Sequence, residues 1–386
     1  MRFRHAGGDV VHLAYCSNVH TAHDADGVVA QLSRFAEPVR RALGVPRLGI
    51  GLWLSAQAAL SFDIDPVRLA ALRAQLERSG LEVVTLNGFP YGEFHAERVK
   101  HAVYMPDWTT VERAEHTLRL ARLLAALLPD DVTDGSISTL PLGWREPWCD
   151  ERAEAAHARL RQVAHGLAAL EEQTGRRVRL AIEPEPGCVV ETTEQLADVL
   201  DTLDAGDRIG ACVDTAHLAC QFELPEIAVP ALAARGVAVV KAQLSAALRV
   251  PEPAAPGART RLASFVEPRF LHQARAWQDG ALHAADDLDQ ALDGGLPVQA
   301  EWRVHVHVPL HADPVGTTAD QVRTTLLELV GGKRPLTRHL EVETYAWTVL
   351  PPELRPADDD ELVEGIAREL RWARDCLTDL GLQELP

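Results

Sequence analysis

An α/β fold of parallel strands, in the (β/α)8 barrel count, is predicted by three features of the sequence. Short apolar runs alternate with long amphipathic ones over almost the whole chain. The apolar runs that qualify as strands number eight, at 11–16, 48–54, 82–86, 136–142, 178–183, 209–214, 237–244 and 340–345. Gly80, Gly175 and Gly236 each follow a helix-like run and precede a strand, where glycine adopts a left-handed helix cap at little cost. Helices are expected at 66–78, 111–128, 150–174 and 193–203 from the 3.6-residue period. A last helix gathers Leu362, Ile366, Leu370, Leu377 and Leu380 on one side. A further apolar run, 302–308, lies between the last two strands. Two stretches break the rhythm, 89–108 and 249–280, and are expected to be lids or binding loops inserted into one barrel spanning 1–386.

Composition narrows the function. With 386 residues, 47% apolar and 24% charged, the chain buries a large core, which excludes disorder and fibre. Length alone allows two or three domains, or one α/β barrel with insertions. The 38 basic and 56 acidic residues give a net charge of −18, and no Lys/Arg block gathers the cations, so nucleic acid is not expected as a ligand. Six cysteines without a C-x-x-C pair fit a reducing compartment. With no leader-like or membrane-spanning run, a cytoplasmic location without membrane insertion is expected.

The polar residues that carry chemistry stand where apolar strands end, which in a parallel barrel is the mouth. One strand ends Ile182-Glu183-Pro-Glu185, the next Val213-Asp214-Thr-Ala-His217, and the last Glu341-Val-Glu343. The strand between them reads Lys241-Ala-Gln243. Carboxylates converging from several strand ends suit a divalent cation, and crowding them without one is unfavourable. His305 and His307 alternate along the 302–308 run, so both rings can face one site, and a buried hydrogen-bonded pair is the alternative. His272 stands on the long excursion. Asn18, His20, Trp53, Asn87 and His95 lie at or after the first three strand ends, as pocket-lining candidates or as packing and turn residues. Cys16 is a candidate nucleophile or inert packing. Phosphate-loop, dinucleotide and nucleophile-elbow motifs are absent.

The I-E-P-E-P-G, C-V-D-T-A-H and E-V-E-T strand ends resemble those of the xylose-isomerase-like TIM barrels, the superfamily of sugar phosphate isomerases, epimerases and type-IV apurinic endonucleases. The segments H-L-A-Y-C-S-N-V-H, N-G-F-P-Y-G-E-F-H, G-S-I-S-T-L-P-L-G-W and V-E-T-Y-A-W-T-V-L-P-P are further similar to EboE-type metabolite traffic proteins of that superfamily. The resemblance implies a metal held by Glu183, Asp214, Glu343 and a third-slot residue, normally His, that is Gln243 here. It implies His217 beside the metal or substrate, and His305 and His307 as added ligands. Because an amide oxygen replaces an imidazole, Mn or Mg is favoured over Zn. Glu183, Glu343 and His217 are the implied catalytic groups. Asn18, His20, Trp53, Asn87, Glu185 and His272 are expected to bind substrate. The implied activity is isomerisation or epimerisation of a small hydroxylated carbonyl metabolite. The alternative is non-catalytic binding and handover of a precursor, with partners from the same gene cluster.

Overall fold

The structure is a computed structural model that describes residues 1–92, 94–203, 205–312 and 316–386. Its strands in chain order are β1 (Arg2–Arg4), β2 (Val10–Cys16), β3 (Leu48–Trp53), β4 (Leu81–Asn87), β5 (Asp134–Thr139), β6 (Arg177–Ile182), β7 (Ile209–Asp214) and β8 (Val239–Leu244). They continue as β9 (Ala246–Val250), β10 (Ala274–Gln278), β11 (Ala281–Ala285), β12 (Trp302–Val308), β13 (His339–Val342) and β14 (Gln383–Glu384). β2 to β8 and β13 are parallel neighbours, and β13 pairs with both β8 and β2, so the sheet closes on itself as an eight-stranded barrel. β1 and β14 add an antiparallel flap at the first strand.

All eight predicted strands form, with ends shifted by a few residues. The fourth begins two residues earlier and ends three earlier than 136–142, and the eighth stops at Val342 because Tyr345–Thr348 turns into a 3-10 helix. The helices Pro66–Arg78, Asp150–Thr174 and Thr193–Leu203 form as predicted, and the fourth is Val111–Leu127. Gly80, Gly175 and Gly236 have φ of 65°, 68° and 74°, the left-handed conformation that closes each helix.

The 249–280 stretch is not a simple loop. β9, β10, β11 and β12 form a separate antiparallel sheet in the order β11-β10-β12-β9, inserted between the seventh and eighth barrel strands. β10 and β11 form a hairpin around Asp279-Gly280, both at positive φ, as a two-residue primed turn requires. The register between β12 and β9 shifts between Val304 and Val308, the segment that carries His305 and His307. Facing it, the 89–108 excursion is braced by the buried Arg113, whose guanidinium donates to the carbonyls of Gly88, Phe89 and Pro106.

The barrel interior below the mouth is polar. Lys241 and Glu341 form a fully buried ion pair between adjacent strands. Lys241 Nζ also reaches the Leu86 carbonyl and Ser138 Oγ at 3.3 Å. Burial opposes the Lys241 charge, but the Glu341 carboxylate, together with the nearby Cys212 and Cys16 thiols, raises the ammonium above its ordinary value. Gly51 makes room for Glu341: a Cβ there would stand 1.3 Å from its Oε1.

Candidate functional site

Asp214 and Glu343 are each fixed by hydrogen bonds on one oxygen. Asp214 caps the short helix Thr215–Cys220, its Oδ1 accepting from the backbone N–H of Ala216 and His217 and from Ser245 Oγ at 2.8 to 2.9 Å. Its Oδ2 is buried without a partner. Glu343 Oε1 accepts from the side-chain amides of Asn18 at 2.8 Å and Asn87 at 2.7 Å. Glu183 Oε2 has no partner at all. Burial, followed by the charges of Glu343 and Asp214, pushes Glu183 well above the usual carboxylate range. Burial, followed by Asp214 and Glu341, does the same to Glu343, and Lys241 pulls both partly back.

Three imidazoles stand over these acids. His305 Nε2 lies 3.1 Å from His217 Nε2 and 3.0 Å from His307 Nε2. Their other nitrogens face oxygen acceptors: His217 Nδ1 the Pro184 carbonyl, His307 Nδ1 the Glu343 carbonyl, and His305 Nδ1 the Gln273 Oε1, at 2.7 to 2.9 Å. The Gln273 amide is oriented by its Nε2, which donates to Glu185 Oε1 and the Pro186 carbonyl. With Nδ1 carrying the proton, each neutral ring turns a lone pair inward. Burial lowers His305 well below the ordinary histidine value and His307 to about 4, so those two are neutral at pH 7.

This donor set fits a divalent cation. Lone pairs facing one another across 3.0 Å, beside orphaned oxygens of Glu183 and Asp214, lack positive charge between them, and the nitrogens orient outward bonds as metal-bound histidines do. His217, His305 and His307 form one group whose donor atoms lie within 4.8 Å of one another. Glu183, Asp214 and His217 form a second such group, and Asp214, His307 and Glu343 a third.

The remaining predicted residues divide. Glu185 lines the mouth, accepting from Tyr104 Oη at 2.8 Å. Gln243 is buried beside Asp214 on the adjacent strand, and neither amide atom has a partner. His95 supports the mouth from behind through Asn18, contacting its carbonyl at 2.8 Å. Three residues expected to bind substrate stand outside the mouth lining. His20 is stacked on Phe35 at 4.2 Å, and Trp53 is fully buried with Nε1 donating to the Pro90 carbonyl. His272 faces Glu267 at 3.2 Å, because neighbours on an extended chain point oppositely and Gln273 takes the inward place. Cys16 is buried, and burial with the nearby Glu341 and Glu343 carboxylates pushes its thiol well up, so it packs and is no nucleophile.

Gln273, Tyr104 and Tyr345 escape sequence reasoning. Tyr345 packs against His307, ring centroids 4.6 Å apart and planes tilted by 46°. The Asp279-Gly280 turn signal was available to reveal the hairpin that sets Gln273 in register.

Glu369, on the closing helix Asp359–Asp379, ties the exits of β12 and β13 together, accepting from Leu310 N–H at 3.0 Å and Thr344 Oγ1 at 2.6 Å. Burial raises it to about 7 against the partial pull of those donors. A carboxyl raised in the folded state holds its proton there more tightly than in the unfolded chain. Its stabilisation is present below pH 4.5 and falls away as pH rises toward 7, by ~3 kcal/mol. Glu369→Gln keeps the acceptor and removes the titration. The loss of thermal stability between pH 5 and pH 8 should therefore be smaller in the variant, and an equal loss would show that another group titrates.

Among the described residues no helix is long and apolar enough to cross a membrane. A family model described as xylose isomerase-like TIM barrel matches residues 41–247. No curated protein sequence matches the chain. Among solved structures, the IolI protein with a bound zinc atom is 12% identical, with TM-score 0.52, covering 96% of this chain and 99% of its own. D-psicose 3-epimerase with D-tagatose from Clostridium cellulolyticum is 11% identical, with TM-score 0.52, covering 95% and 99%. A xylose isomerase-like TIM barrel protein from Mycobacterium smegmatis in complex with magnesium is 14% identical, with TM-score 0.50, covering 95% and 98%. At these identities the likeness is one of fold.

Proposed function

The chain belongs to the xylose isomerase-like TIM barrel family, and from that premise we propose that it is a metal-dependent isomerase or epimerase of a small hydroxylated carbonyl metabolite. The observation that carries the reading is the pair Glu183 and Glu343. Both are buried, both are raised well above the usual carboxylate range, and they enter one pocket from barrel strands three places apart. A carboxyl group whose affinity for a proton is raised by burial and like charge is suited to removing and returning a proton beside a carbonyl.

The two differ in surroundings. Glu343, fed by two amide hydrogens, is held in orientation with one oxygen left for a proton, while Glu183 lacks any donor on Oε2. Glu183, Asp214, Gln243 and Glu343 would hold the cation, with Mn or Mg suited to the oxygen donors. His217, His305 and His307 supply the nitrogen set that suits Zn. When bound, the ion supplies stabilisation of negative charge on a carbonyl oxygen. His217 stands beside Glu183, its Nδ1 3.7 Å from Oε1.

A second reading is supported by Gln243, a neutral amide where the family places imidazole. In that reading, which follows the finer resemblance to EboE-type metabolite traffic proteins, the barrel binds a metabolite and hands it to cytoplasmic partners from its own gene cluster without turnover. An endonuclease role is disfavoured, since among the described residues the one Lys or Arg lining the mouth, Lys100, is already paired with Asp287.

Elemental analysis tests the metal. Protein expressed with Mn, Mg, Zn, Fe and Co is expected to retain about one divalent ion or more, and His305→Ala to lower zinc retention by about tenfold or more. Protein purified without stoichiometric metal would overturn the metal-dependent reading.

A further inference from the structure

The floor and the walls of the mouth differ in chemistry. The floor is oxygen and nitrogen: Asn18, Asn87, Glu183, Glu343, His305 and His307. Above it the lining turns to hydrocarbon, with Phe89, Phe94, Val99, Val103, Phe270 and Leu271. Phe94, Phe270 and Tyr345 form a mutual aromatic cluster, their ring centroids 4.9 to 5.6 Å apart. Tyr345 joins cluster to floor through its tilted ring contact with His307. This collar is drawn from the two excursions and the exit of β13, so it is an addition to the barrel that packs continuously with its core. The space enclosed is about 540 Å³, open solvent included.

We propose that the ligand of this mouth is an amphiphile, with an uncharged oxygen-rich head on the floor and an apolar or aromatic body inside the collar. The head rests on the isomerase or epimerase reading; the body rests on the collar alone. Two other ligand classes fit poorly. A phosphate ester brings close to two negative charges at pH 7. Among the described residues the mouth meets it with three carboxylates, Glu183, Glu185 and Glu343, and with a single ammonium, Lys100, already held by Asp287 and the Glu267 carbonyl. A free sugar carries hydroxyls on every side, and those facing the collar would be buried against hydrocarbon without partners. The amide donors that could serve it, Asn18 and Asn87, lie on the floor and already donate to Glu343. A hydrocarbon body meets neither difficulty and gains the burial of its surface.

The test is calorimetric titration of the full-length, metal-loaded protein with four probes: D-glucose, glucose 6-phosphate, hexyl β-D-glucoside and phenyl β-D-glucoside. At least one substituted glucoside is expected to bind about tenfold or more tighter than D-glucose, the gain coming from apolar burial. Glucose 6-phosphate should bind no better than D-glucose. In Phe94→Ala and Phe270→Ala the gain should shrink severalfold, with retained metal showing that the floor is intact. Equal affinities for substituted and free sugar, tightest binding of the phosphate ester, a gain unaffected by both variants, or no binding of any probe at 10 mM on the order of the weakest useful affinities, would each overturn the proposal. Metal content and proton exchange decide the catalytic reading separately, so a metal-loaded protein that ignores the hydrocarbon body fails this inference alone.

Discussion

Glu343→Gln is expected to lower metal-dependent incorporation of solvent deuterium into substrate by ~10²-fold or more while leaving the fold intact. The glutamine keeps the oxygen that Asn18 and Asn87 address, and it lies in a pocket where those amides already fix the side chain. What disappears is the second carboxylate oxygen and with it the capacity to carry a proton. The measurement is incubation of wild type and variant with a metabolite extract in D₂O, followed by mass analysis for a compound labelled by wild type alone. Labelling that persists in the variant would assign the proton transfer elsewhere. If wild type, with its metal in place, labels nothing, the handover reading becomes the better one.

Lys241→Met should destabilise the barrel by ~3–5 kcal/mol, the cost of leaving a buried carboxylate without its partner. The pair is fully buried, and the space for Glu341 exists only because residue 51 lacks a side chain. Lys241→Met combined with Glu341→Leu should recover most of the loss, since a hydrophobic pair of similar volume removes both charges together. Chemical unfolding of the two variants checks this, and a double variant no more stable than the single one would refute it. The single variant also reaches the site. Lys241 draws Glu183 and Glu343 downward, so its removal should shift the pH profile of any turnover to higher pH.

The barrel was legible because its strands are buried on both faces and its helices on one, a contrast that periodicity detects in sequence. The strand-end acids were legible for the same reason, as charges that interrupt apolar runs. The added sheet was not. Ala274–Gln278 and Ala281–Ala285 contain no Val, Ile or Thr, so strand propensity is weak, and the pairing of β10 with β12 and of β11 with β10 makes them strands. That omission exchanged His272 for its neighbour Gln273, since only register decides which of two adjacent residues faces inward. The Lys241–Glu341 pair was hidden for a different reason: a salt bridge between strands 100 residues apart leaves no local spacing to read.

The barrel closes between its last strand and its first, and the Asn18 to Glu343 hydrogen bond spans 325 positions. A growing polypeptide therefore has no complete mouth until β13 has emerged and docked. An interrupted product that lacks this strand exposes an open sheet edge in place of a finished pocket, a surface that invites aggregation or proteolysis.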